Sequence, residues 1–77
     1  MSTLHYDNIV AAMAESAHNA WWEYYKASGY TSRKAEWGEE FMVPFSELSE
    51  RGKELDRIIM RSILMTFDQI GLKVVPK

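Results

Sequence analysis

The chain contains no cysteine, so neither a disulfide framework nor a thiolate metal site can hold it together, and two histidines alone cannot build the usual zinc patterns. No apolar run approaches the roughly 18 residues of a membrane span. The N-terminal MSTLHYDNIVAAMAESAH has no basic region ahead of its apolar residues and is interrupted by Glu15, which predicts neither a leader nor a span and places the protein in the cytoplasm. Neither sign of charge dominates: Lys+Arg 9 against Asp+Glu 11 gives a formal charge of -2, without the electrostatic footprint that non-specific binding of nucleic acid requires. Catalytic motifs are missing too. There is no G-x-x-x-x-G-K-[ST], no G-x-S-x-G and no H-E-x-x-H, and no carboxylate pair is spaced for more than surface charge. A binding module without a cofactor is expected, not an enzyme.

What remains is a chain of 77 residues with room for a single domain, 1–77. A domain this short buries only about 60–65% of the surface its unfolded chain exposes, so its core is thin. With no covalent or metal staple, self-association is the simplest source of further burial, which predicts a symmetric homodimer. Hydrophobic content is an ordinary 47%, but eight of the ten aromatic residues lie between Trp21 and Phe45. That clustering is the first pointer to function.

From Asp7 to about Lys26, Ile9, Met13, Ala17 or Ala20, Trp21 and Tyr24 recur at steps of three and four, the period of a helix with one apolar face. Asp7 or Asn8 is a suitable N-cap, and Ser28-Gly29 closes the helix. Between Gly29 and Val43 the pattern is lost to turn formers and charges. Phe41 to Phe45 reads as an extended piece, because Pro44 biases Val43 away from helix, and two very short strands are expected to pair here. A second helix runs from the N-cap Ser49 to Ile70, with Leu55, Ile58, Ile59, Ser62, Ile63, Thr66 and Ile70 on one face and Met60, Leu64 and Phe67 widening it. An arc this wide exceeds what one partner helix covers, which again predicts a second protein surface. The tail from Leu72 to Lys77 reads as extended.

Trp21, Trp22, Tyr24 and Tyr25 cannot share one helix face, so at least one is exposed or interfacial, either packed against protein or stacked on a planar base. Tyr30, Trp37 and Phe41 fall in the loop, where binding residues concentrate; they are candidate stacking platforms, with simple loop packing as the alternative. Arg33 and Lys34 beside them could meet phosphate, or stand as solvated charges. Lys53 and Arg57 form a like-charge pair on the second helix that favours a nearby acidic group, either a glutamate or aspartate of the chain or a bound phosphate. His18, one turn before the tryptophans, reads as a hydrogen-bonded packing residue rather than an acid or base.

In order along the chain stand His18-Asn19-Ala20-Trp21, Gly29-Tyr30, Met42-Val43-Pro44-Phe45-x-x-Leu48, Lys53-Glu54-x-Asp56-Arg57 and Ile70-Gly71-Leu72. This series resembles the ryanodine-receptor repeat (RyR) domain over about residues 9–72, in the manner of a stand-alone bacterial or phage-type copy. The family shows H-x-x-W, an aromatic after Gly, V-P-[YF]-x-x-L, K-x-x-D-R and a terminal Gly in this sequence. One segment departs from it: Arg33-Lys34 match the basic part of the family's loop, whereas Glu39-Glu40-Phe41 stand in place of a His-Pro stretch. The resemblance implies a mainly α fold, two antiparallel helices joined by a long arm with short β-strands, and no catalysis. It also implies paired packing, met here by a homodimer, and a nucleotide-derived ligand in signalling, phage defence or counter-defence. Under that reading Trp21, Tyr30, Arg33, Lys34, Trp37, Phe41 and Arg57 are the ligand-binding candidates. The alternative is a protein-interaction or assembly domain with no small-molecule ligand.

Overall fold

The computed structural model describes the chain over residues 3–72, with side chains from residue 7 onward. Two helices carry the fold, α1 over Thr3–Ala27 and α2 over Glu50–Gln69, joined by an arm over residues 28–49. His18 of α1 faces Asp56 of α2, and Met60, one turn further along α2, packs on the cluster that holds Ala14, one turn back along α1. The helices therefore run antiparallel. The extended tail expected beyond Leu72 lies outside the described residues.

Helix α1 begins at Thr3, earlier than the expected caps Asp7 and Asn8, because no Gly or Pro stands in the way and the helix runs on past both. It ends as expected. Gly29 adopts φ 92°, and the amides of Gly29 and Tyr30 donate back to the carbonyls of Lys26 (3.1 Å) and Tyr25 (3.0 Å), the paired bonds of a Schellman cap. Helix α2 also starts where the sequence predicts: the Ser49 hydroxyl accepts from the Gly52 amide at 3.1 Å.

The inner face of α1 is turned one position from the expected stripe, with Val10, Ala14 and His18 buried and Tyr24 68% exposed. Ala14, Phe45 and Leu48 form the central cluster, and Phe41, Val43 and Met60 pack against it. A small residue at position 14 leaves room for the arm to press its Phe45 ring into the core. On α2 much of the wide apolar arc is left uncovered, as its width predicts. Its stripe of Leu55, Ile58, Ile59, Ile63 and Ile70 faces outward, with Ile58 and Ile59 each 54% exposed, while Gly52, Met60 and Leu64 lie on the inward side. Periodicity locates an apolar face but does not say what covers it.

The short strands are not formed: among the described residues, pairing in the arm amounts to one isolated antiparallel bridge between Lys34 and Glu40, followed by a 3-10 turn over Phe45–Glu47. The arm's backbone groups find side chains in place of a ladder. The Glu40 carboxylate accepts from the amides of Arg33 (2.7 Å) and Met42 (3.1 Å) and from the Ser32 hydroxyl. Asn19 accepts from the Phe45 amide at 3.1 Å, and His18 donates to the Val43 carbonyl at 2.8 Å. Pro44, which has no amide hydrogen, sits between these last two anchors.

Glu39 docks the arm onto α2. Its carboxylate accepts from the Ser49 amide (2.7 Å), the Ser49 hydroxyl (2.6 Å) and the Trp37 indole (2.9 Å). Glycine at position 52 leaves this contact room, since a Cβ would stand a tight 3.2 and 3.3 Å from the Glu39 oxygens and 3.4 Å from the Phe41 ring. Gly52→Val is expected to push Glu39 and Phe41 off the helix and to cost about 1–3 kcal/mol of stability, measured by urea denaturation.

Candidate functional site

A cleft of about 410 Å³ opens between the two helices, under the arm. Ala17, His18 and Trp21 of α1 form one side, Gly52, Leu55, Asp56, Ile59 and Met60 of α2 the other, and Phe41 and Leu48 of the arm complete it. The walls are mostly apolar, and the charged or ionisable groups among them are His18 and Asp56.

His18 is buried at 6% exposure, and its ring lies against Trp21 and Phe45, with centroids 5.5 and 6.0 Å away. Its Nε2 donates to Val43, and its Nδ1 stands 3.5 Å from Asp56 Oδ2. With Nε2 carrying a hydrogen, a neutral ring would turn the lone pair of Nδ1 toward a carboxylate. The pair closes favourably only when it holds one further proton, on Nδ1 or on the carboxyl. Burial pushes the Asp56 carboxyl above its ordinary pKa, and the nearby His18 ring opposes that rise.

The sequence-predicted site residues separate into three places. Trp21 and Phe41 line the cleft. Trp37 stands edge-on to Phe41 at 5.8 Å, outside the cleft, with the Arg51 guanidinium 3.9 Å over its other surface. Tyr30 lies with Tyr25 at the end of α1, centroids 5.1 Å apart, where Arg33 stacks 5.0 Å from the Tyr25 ring and 5.8 Å from Tyr30. Lys34 pairs its backbone with Glu40 and is exposed. Arg57 is engaged by Glu50 at 3.1 Å and Glu54 at 3.6 Å, the acidic group that the Lys53–Arg57 pair called for. The aromatic and basic candidates thus do not converge on one pocket.

Sequence reasoning did not place Asp56, Leu55, Ile59 and Met60 in the cleft. The H-x-x-W and K-x-x-D-R spacings were visible, but only the antiparallel pairing of the helices sets Asp56 opposite His18. Glu39 and Glu40, which stand in the sequence only as charges of the loop in place of the family's His-Pro stretch, are the arm's principal acceptors.

The hydrogen bonds from Ser49 hold the Glu39 carboxyl below its ordinary pKa, and those from Ser32, Arg33 and Met42 do the same for Glu40. A carboxylate depressed in the folded chain contributes stability that is present above its unfolded pKa and lost as pH falls through the folded value. In an NMR pH titration, the Trp37 indole and the Ser49 and Gly52 amides are expected to hold their neutral-pH positions until pH drops below the ordinary carboxylate range. They should then move together, and Glu39→Gln should abolish that shared titration.

The model of the RyR domain family matches residues 3–76, almost the whole chain. No match was found among curated proteins or among solved structures. Among the described residues, no helix is long and apolar enough to cross a membrane. The helix pair, the arm pinned by His18 and Asn19, and the match over nearly its full length identify the chain as a member of the RyR domain family.

Proposed function

We propose that this domain is a non-catalytic cytoplasmic module that binds a nucleotide-derived small molecule, of the adenine-nucleotide, ADP-ribose or cyclic signalling type, for sensing or sequestration. One observation carries the reading: an apolar cleft of about 410 Å³ with two aromatic rings, Trp21 and Phe41, and a polar pair, His18 and Asp56, in its wall. Ligand sites are commonly of this kind, about 300–1,000 Å³ and apolar with a few convergent polar groups. No lysine or arginine lines the cleft, so in this reading the nucleoside part enters and the phosphates stay outside.

A second reading, a protein-interaction or assembly domain, is favoured by the open apolar face of α2, where Ile58, Ile59, Met65 and Ile70 are all more than half exposed. The two readings meet in a homodimer. Leu55 and Ile59 belong both to that face and to the cleft, so a second copy docked on α2 would stand at the cleft mouth.

A thermal-shift screen against AMP, ADP, ADP-ribose, NAD and cyclic nucleotides tests the ligand. One class should raise the melting temperature, a ligand at 100 times its Kd adding about 2.7 kcal/mol. The rise should vanish in Leu55→Glu, whose side chain is exposed enough to spare folding. A folded protein indifferent to all of them would leave the assembly reading. Sedimentation equilibrium tests the dimer: the wild type is expected at twice the chain mass, and Ile63→Glu as a monomer at the same concentration.

A further inference from the structure

The cleft contains an unusual carboxylate. Asp56 lies in its wall with a side chain only 25% exposed, and among the described residues no lysine or arginine forms an ion pair with it. Lys53 places its ammonium 5.9 Å from the Phe45 ring, Arg57 pairs with Glu50 and Glu54, and Arg61 pairs with Glu54 at 3.1 Å. The polar group facing Asp56 is His18, fixed by its bond to Val43 and 3.5 Å away, longer than a good hydrogen bond. An ionised carboxylate offers about four acceptor positions and no donor. Half-buried among apolar walls, it is under-satisfied, and a donor brought by a ligand would relieve that cost.

We infer that Asp56 is the specificity-determining contact of the cleft, accepting a hydrogen bond from an N–H on a flat, phosphate-free part of the ligand. The cleft thereby selects rings bearing an amino or amidine edge over rings of the same shape without one. The walls supply stacking and dispersion, which any ring of suitable size obtains from Trp21, Phe41 and Met60. Only Asp56 distinguishes a donor from its absence. When Asp56 is ionised beside a neutral His18, the same charge turns away phosphates and carboxylates, since no lysine or arginine lines the wall to offset it. The inference rests on the reading that the cleft takes a small molecule.

The test is a 1H–15N and methyl NMR titration of the full chain with adenosine, with purine riboside, which lacks the amino group, and with benzamidine. The Trp21 indole and the Leu55 and Ile59 methyls report on the cleft. Adenosine and benzamidine should move these resonances, purine riboside should bind about tenfold to a hundredfold more weakly than adenosine, and Asp56→Leu, which removes the acceptor, should erase that preference. The adenosine and purine riboside comparison is made in the wild type, so it stands even if Asp56→Leu folds poorly. Equal binding of the two nucleosides would overturn the inference and leave the small-molecule reading in place. Benzamidine bound through Asp56 with no nucleoside bound would support the inference and remove the nucleotide reading. Resonances that none of the three moves would overturn both.

Discussion

The fold depends on one buried imidazole. His18 is in contact with all three parts of the chain, by its place on α1, its hydrogen bond to the arm at Val43 and its approach to Asp56 on α2. Its ring also packs between Trp21 and Phe45. A hydrocarbon at this position could fill the volume but would leave the Val43 carbonyl without a donor, and a buried unpaired carbonyl costs about 1–3 kcal/mol. Asn19, the next residue, satisfies the Phe45 amide, so adjacent polar side chains hold the arm on both sides of Pro44. In so thin a core, polar side chains fix what apolar contact alone would leave loose.

The arm extends the same principle. Its own backbone pairing stops at the Lys34–Glu40 bridge and a few turns, and Glu39 and Glu40 act as local acceptors, one turned to the start of α2 and the other into the loop. This is also why Glu39 and Glu40 are unavailable as free surface charge. The four arginines are likewise spoken for: Arg51 covers Trp37, Arg33 covers Tyr25, and Arg57 and Arg61 meet glutamates. The half-buried Asp56 is left with a histidine.

Much of this was legible in the residues. The two helices, the Ser49 cap, the Gly29 stop and the packing role of His18 follow from period, capping chemistry and the company each residue keeps. The family resemblance over residues 9–72 agrees with the match over 3–76. The faces were harder. On α2 the most hydrophobic stripe lies outside, because the inward side is set by close approach at Gly52 and by the Asp56–His18 pair, neither of which hydrophobicity reveals. The expected strands failed because side-chain acceptors 10 or fewer positions away in sequence outcompete a ladder. The scatter of Tyr30, Arg33, Trp37 and Arg57 depends on the path of the arm, which has no periodicity to read.

Met60 belongs both to the packing around the central cluster and to the wall of the cleft. An unbranched thioether with three rotatable bonds can change its shape at little cost, and sulfur is readily polarised against an aromatic ring. The width of the cleft is therefore adjustable without moving either helix. If the cleft takes a ligand as proposed, fit by size is permissive and discrimination falls to the fixed polar atoms of its wall, so related copies could change what they accept by altering a single side chain while the scaffold stays the same.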